Sequence, residues 1–145
     1  ADQPPQNLLL QPMERRAALG ISHVPQGRQL FSQLSVEENL QVAQMAVRGA
    51  PYRIPPLIYS LFPNLRQMRT RRAGDLCEGA QRQLAIGRAL AQEPALLILD
   101  EPTTGVPPSI AADIGNVIRR LNYELGMTIL LVEHQLPFVR RVADR

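Results

Sequence analysis

The chain has 145 residues, of which 45% are hydrophobic and 20% charged, the balance of one folded domain rather than a disordered segment. No run of about 18 or more apolar residues occurs, so these residues encode no transmembrane helix. All 16 basic residues are arginine, which excludes a phosphate-binding or Schiff-base lysine within them. The net charge of +3 is spread along the chain and favours no nucleic-acid interface. The single cysteine excludes an internal disulfide and fits a reducing compartment.

The first part of the chain alternates short regular elements with loops. A helix is predicted over 13–19, which Gly20 can cap, and a strand over 21–24, which Pro25 ends. Ser35 and Glu38 have the spacing of a capping box, which predicts the start of another helix. The apolar face of that helix is predicted to carry Val36, Leu40, Ala43 and Val47.

The middle of the chain is predicted to be mostly helical. The prolines within 50–56 indicate a turn or hinge. Residues 57–68 are predicted to be helical in part, with an interruption at Pro63, and a loop over 74–79 opens a helix over 80–92. One face of this helix is a stripe of mainly small residues that suits close packing, formed by Ala80, Leu84, Gly87 and Ala91.

Two continuous apolar runs follow, over 95–99 and 127–132, with an amphipathic helix over 109–125 between them. Such runs indicate strands that are covered on both faces, and the order strand, helix, strand predicts a crossover in a parallel sheet. Acidic residues come directly after both runs, at 100–101 and at 133. Ligands of open parallel sheets bind beyond the carboxyl ends of the strands, so we expect a site there.

Asp100 and Glu101 are the first candidates for chemistry. An apolar strand that ends in adjacent acids is a Walker B pattern. In that pattern Asp100 would hold Mg²⁺ through water, and Glu101 would polarise the attacking water as a general base. These residues alone leave open the alternative that the acids merely cap the end of a strand.

Three further positions are candidates for contact with phosphate. Residues 76–80 form a glycine-containing turn that opens a helix, and the free N–H groups and dipole of a helix N-terminus suit an anion. Gln26 follows the predicted strand over 21–24, and His134 follows the one over 127–132. Each has an ordinary alternative when taken singly: a helix cap, a loop glutamine and a structural histidine.

The order of these candidates along the chain resembles the order of the motifs of ABC-type ATPases. The candidates are Gln26, the turn over 76–80, the acids at 100–101 and His134. The stretch over 83–103 is highly specific for that family, and the resemblance covers nearly the whole chain. At subfamily level, 20–28 and 35–40 look like the ATP-binding subunits of branched-chain amino-acid transporters. The segments 52–56 and 114–121 look closest to the urea-transporter branch of that group.

The resemblance implies an α/β fold, a partial P-loop NTPase with a parallel sheet, helices and a helical subdomain. The whole of 1–145 would be one truncated ATP-binding domain, with the helical subdomain at about 35–90 and parts of the RecA-like core at 13–34 and 91–145. ATP and Mg²⁺ are the implied cofactors. The implied partners are a second ATP-binding subunit and transmembrane permease subunits, not nucleic acid, at the cytoplasmic face of the cell membrane.

The resemblance also implies a role for each matching residue. Gln26 matches the Q-loop glutamine, which senses Mg²⁺ and the attacking water, and His134 matches the H-loop histidine, which contacts the γ-phosphate. Asp100 matches the Walker B aspartate and Glu101 the catalytic base. The signature motif, which contacts nucleotide, is matched by Leu76, Cys77, Glu78, Gly79 and Ala80.

Two departures from the family pattern affect these expectations. No G-x-x-x-x-G-K-[ST] motif occurs, so most of the phosphate cradle is missing from these residues. The signature reads Leu76–Cys77–Glu78–Gly79–Ala80, which loses a serine hydroxyl and places a carboxylate where the family has glycine. We therefore expect a fragment that is inactive alone, with an exposed apolar sheet face that promotes self-association. The alternatives are a non-catalytic docking module and, less favoured, a soluble ATPase acting on nucleic acid.

Overall fold

The computed structural model describes residues 7–27, 29–47, 49 and 53–144. Within these ranges the chain forms seven α-helices and three β-strands, with single 3₁₀ turns at Leu8–Leu10 and Ala73–Asp75. In chain order the elements are α1 (Met13–Ala18), β1 (Ile21–Val24), α2 (Val36–Met45), α3 (Pro56–Leu61), α4 (Pro63–Gln67), α5 (Glu78–Leu90), β2 (Leu96–Asp100), α6 (Pro108–Tyr123), β3 (Thr128–Val132) and α7 (Leu136–Val142). None of these described helices is both long and apolar enough to cross a bilayer.

The three described strands form one parallel sheet in the order β1–β2–β3. Val24 pairs with Leu99 and Asp100 pairs with Val132, so the strands end side by side. The predicted parallel sheet is therefore confirmed, and the loops that follow all three strands leave from one edge.

The sheet has one buried face and one open face. Leu97 and Leu99 are 0% exposed on the buried face, whereas Leu130 and Val132 are 53% and 50% exposed on the other. The prediction that both apolar strands are covered on both faces is wrong for β3 within the described residues. A continuous apolar run shows that a strand suits two covered faces, but only the packing of other elements decides whether they are covered. The expected exposed apolar face is present.

The segment between β1 and β2 is helical, as predicted. The capping box is present at the start of α2: Glu38 N donates to Ser35 Oγ at 3.1 Å, and Ser35 N donates to Glu38 Oε2 at 2.7 Å. Helix α2 ends at Met45, so Val47 is not part of its apolar face. The predicted interruption at Pro63 separates α3 from α4, while the hinge predicted over 50–56 lies partly outside the described residues.

Helix α5 connects this helical segment to the sheet. It packs against α2 and α4 of this segment and also against β1. A Cβ atom at Gly87 would lie 3.3 Å from Ile58 Cγ2 and 3.4 Å from Leu40 Cδ2, so the small residue permits close packing, as the stripe predicted. The helix begins at Glu78, two residues before the predicted start, and this brings its N-terminus beside the loop after β2.

Candidate functional site

The carboxylate of Glu101 is the meeting point of three loops. Glu101 Oε2 accepts hydrogen bonds from Gln26 Nε2 at 2.7 Å and from Thr104 Oγ1 at 3.1 Å. Glu101 Oε1 lies 3.6 Å from His134 Nδ1, which is ion-pair rather than hydrogen-bond distance. Gln26 follows β1, Glu101 follows β2 and His134 follows β3. Three of the predicted residues therefore converge at the carboxyl edge of the sheet.

The backbone of Glu101 is in the left-handed region, with φ at 47°. This conformation costs a non-glycine residue about 1–2 kcal/mol. It is held from both sides, because Glu101 N donates to Val132 O at 2.7 Å and Thr104 N donates to Glu101 O at 3.2 Å. The sharp turn directs the carboxylate toward Gln26 and His134.

Glu133 fixes the loop that carries His134. Its side chain is 0% exposed, and its Oε2 accepts a hydrogen bond from Thr103 Oγ1 at 2.5 Å. Its Oε1 accepts from the backbone N–H groups of His134 at 2.9 Å and Gln135 at 3.2 Å. Burial raises the pKa of Glu133, but these hydrogen bonds outweigh burial and hold the pKa below its ordinary value of 4.5. The charged carboxylate thus ties the loop after β3 to the loop after β2.

Asp100 is the last residue of β2 and is half-buried. Side chains alternate along a strand, so Asp100 shares the open face of the sheet with Ile98. No hydrogen bond or ion pair to another described residue engages its carboxylate. The described residues also contain no group of three or more His, Cys, Asp or Glu side chains that could hold a metal ion.

Arg82 lies on α5 behind the site and is only 3% exposed. Its Nη1 donates to the backbone carbonyl of Gln26 at 3.3 Å, and its Nη2 donates to the carbonyl of Thr104 at 3.1 Å. One buried guanidinium therefore joins the loop after β1 to the loop after β2. The sequence offered only a weak signal for this residue, an arginine on a helix whose neighbours are apolar.

The predicted signature turn lies at the N-terminus of α5. Leu76, Gly79 and Ala80 are buried, whereas Cys77 and Glu78 are exposed. The turn approaches the loop after β2 at Gly105, where a Cβ atom would lie 3.7 Å from Glu78 Oε2. The structure thus places this turn beside the Glu101 cluster rather than within it.

A family model described as ABC transporter matches residues 3–104. The chain belongs to the ABC transporter family. A high-affinity branched-chain amino acid transport ATP-binding protein, BraG of Pseudomonas aeruginosa, is 41% identical over 126 residues, which cover 86% of this chain and 54% of BraG. A probable branched-chain amino acid transport ATP-binding protein, LivF of Archaeoglobus fulgidus, is 37% identical over 135 residues, 92% of this chain and 57% of LivF. The chain spans about half the length of these relatives.

The fold is that of ABC ATPases. MJ1267, an ATP-binding cassette of an ABC transporter solved in its ADP conformation, superposes with a TM-score of 0.71 at 29% identity. The match covers 89% of this chain and 57% of MJ1267. The expected partial α/β fold with a parallel sheet is therefore confirmed for this family member.

The sequence did not single out the residues that hold the candidate site residues in place. These are Arg82, Thr103, Thr104 and Glu133. The two threonines follow the acid pair after Pro102, and Glu133 directly precedes His134. Proximity in sequence was therefore a usable signal for three of the four residues. Arg82 is 19 residues before Glu101, and its link to the site passes through backbone carbonyls that no side-chain pattern encodes.

Proposed function

We propose that the chain is part of the ATP-binding and ATP-hydrolysing subunit of an ABC importer for branched-chain amino acids or urea. The observation that carries this proposal is the convergence of Gln26, Thr104 and His134 on the carboxylate of Glu101. The BraG and LivF relatives support the branched-chain amino-acid class. The urea alternative rests on the resemblance of 52–56 and 114–121.

Glu101 acts as the general base in this proposal. Its Oε2 is occupied by two hydrogen bonds, at 2.7 Å from Gln26 Nε2 and 3.1 Å from Thr104 Oγ1. Oε1 is therefore the atom that takes a proton from the attacking water. The side chain is 27% exposed, so water reaches it, and His134 lies on the same side at 3.6 Å. A positioned carboxylate of this kind contributes about 10²–10⁴-fold to a hydrolysis rate.

The residues present fit Mg²⁺, the metal that the family pattern implies. Protein sites for Mg²⁺ supply one or two carboxylates and leave the remaining positions to water and substrate phosphates. Asp100 offers a carboxylate that no described residue engages, and the carboxamide oxygen of Gln26 offers a second oxygen ligand. Bound Mg²⁺ would orient and polarise the phosphate oxygens of ATP.

The phosphate cradle is the part that these residues lack. They contain neither a G-x-x-x-x-G-K-[ST] motif nor any lysine, and the guanidinium of Arg82 is committed to two backbone carbonyls. We therefore propose that the 145 residues do not turn over ATP by themselves. Activity would need a Walker A segment, a second ATP-binding subunit, and permease subunits that dock on residues 35–90 at the cytoplasmic membrane face. Residues 13–34 and 91–145 would belong to the core.

Titration calorimetry with Mg-ATP tests the nucleotide site directly, with circular dichroism to confirm folding. We expect weak, saturable binding that Asp100→Asn abolishes. Asp113→Asn is the matched control, because Asp113 is an exposed carboxylate that lies on α6, outside the three loops that follow the strands. Equal binding by Asp100→Asn and the wild type would refute the role of Asp100.

A second candidate function is a non-catalytic docking module. The observation that favours it is the signature turn, where Glu78 replaces a family glycine and where Leu76, Gly79 and Ala80 are buried. A like charge beside a phosphate is unfavourable at close range. Saturable Mg-ATP binding that Asp100→Asn abolishes would refute this candidate. A folded chain that binds no Mg-ATP fits both this candidate and a nucleotide site that lacks its Walker A segment.

A further inference from the structure

Four residues, of which the proposed base Glu101 is one, form a closed ring of hydrogen bonds. Gln26 and Thr104 each use a side chain to donate to Glu101 Oε2. The same two residues each use a backbone carbonyl to accept from the guanidinium of Arg82, at 3.3 and 3.1 Å. Arg82 therefore holds both residues that hold the carboxylate, although it does not itself touch the carboxylate in any of these contacts.

The ring requires the geometry of arginine. A guanidinium is planar and carries Nη1 and Nη2 in a fixed fork, so one side chain reaches two separate carbonyls at once. A lysine ammonium is a compact point charge on a flexible stem and lacks this fixed fork. Arg82 is 3% exposed and lies on the most buried helix of the described chain, so the fork has little freedom to move.

A second arginine on the same helix provides an internal comparison. Arg88 Nη1 donates to the carbonyl of Gln29 at 2.7 Å, and its guanidinium lies 4.8 Å from the ring centroid of Phe31. Arg88 therefore anchors the same loop as Arg82, but at residues that make no contact with Glu101. A comparison of variants at these two arginines therefore separates an effect on the base from a general effect of anchoring the loop.

We propose that Arg82 is a positioning residue, which sets the place of the Glu101 carboxylate by holding the backbones of Gln26 and Thr104. The hydrogen-bond ring is present whether or not the chain hydrolyses ATP. Its role in positioning a catalytic base rests on the proposed function. Loss of the fork removes the link between the backbones of Gln26 and Thr104. The hydrogen bond from Gln26 Nε2 to Glu101 is then weakened.

The test is the side-chain amide of Gln26 in the NMR spectrum of the 145-residue chain. In Arg82→Lys we expect its hydrogen exchange to be about tenfold faster or more, as for loss of a hydrogen bond to a charged group. In Arg88→Lys, the matched control on the same helix, we expect no change. Unchanged exchange in folded Arg82→Lys, or equal acceleration in both variants, would overturn the proposal.

A second variant tests the same ring from the side of the carboxylate and leaves Arg82 itself unsubstituted. Glu101→Gln removes the charge that Gln26 and Thr104 contact, so the Nη protons of Arg82 should exchange faster while those of Arg88 stay unchanged. Energetic coupling between sites is reciprocal, so an Arg82 signal unaffected by Glu101→Gln would also refute the ring. Neither readout needs nucleotide. A chain that passes both tests but binds no Mg-ATP would therefore refute the nucleotide binding that we expect of these residues, while the ring itself would remain supported.

Discussion

Gly79 offers a sharp test of why a glycine occupies the first turn of α5. It lies in the first turn of α5, where that helix meets α6. A Cβ atom at this position would lie 2.9 Å from Ile110 Cγ1, 3.2 Å from Cγ2 and 3.3 Å from Cδ1. All three atoms belong to one β-branched side chain, which strongly prefers a single rotamer in a helix and so cannot turn aside at low cost. We expect Gly79→Ala to force the two helices apart.

The magnitude follows from two opposing terms. Alanine in place of glycine favours a helix by up to about 1 kcal/mol, whereas overpacking costs about 1–3 kcal/mol. The single substitution should therefore lower the free energy of unfolding by about 0–3 kcal/mol. In an Ile110→Ala background all three contacting atoms are gone, and Gly79→Ala should instead raise the free energy of unfolding by up to about 1 kcal/mol. The coupling between the two positions is the overpacking term itself.

Urea unfolding followed by far-ultraviolet circular dichroism gives the free energies for the wild type, the two single variants and the double variant. Gly27→Ala is the matched control, because nothing lies within 4 Å of a Cβ atom there and its φ is not in the left-handed region. We expect the control to change stability by less than about 0.5 kcal/mol. An equal effect of Gly79→Ala in both backgrounds would refute the packing argument.

Three other predictions concern the helix cap, the buried acid and the open sheet face. Ser35→Ala should lower the free energy of unfolding by about 1 kcal/mol in urea, because it removes the hydroxyl that caps α2, and no loss would mean that the cap is not formed. The depressed pKa of Glu133 stabilises the fold above its unfolded value of 4.5, and this stabilisation is lost as the pH falls through the folded-state pKa. Thr103→Val should therefore weaken the pH dependence of unfolding below pH 4.5, and an unchanged slope would argue against the hydrogen bond. Leu130→Thr keeps strand propensity but removes apolar surface from a residue that is 53% exposed, so sedimentation velocity should show less self-association than in the wild type. Equal association of both proteins would exclude this face as the cause.

The local elements were predictable because short-range patterns decide them. The capping box at Ser35 and the break at Pro63 depend on residues a few positions apart, and both occur where the sequence predicts them. The parallel sheet followed from two apolar runs with a helix between them, and the loops after the strands were recognisable from Asp100 and Glu133. Gln26, Glu101 and His134 lie together, as the sequence predicts, and their chemical roles are a proposal.

The sequence by itself therefore determined the type and order of the α-helices and strands from α1 to β3, and the edge of the sheet at which the candidate residues gather. Only the tertiary structure decided that Glu101 adopts a left-handed backbone, that Arg82 joins two loops from behind, and that one face of β3 is open. The physical reason is the range of the forces involved. Helix caps, turns and apolar periodicity act between residues close in sequence, whereas the fork of Arg82 acts on carbonyls 56 and 22 residues away.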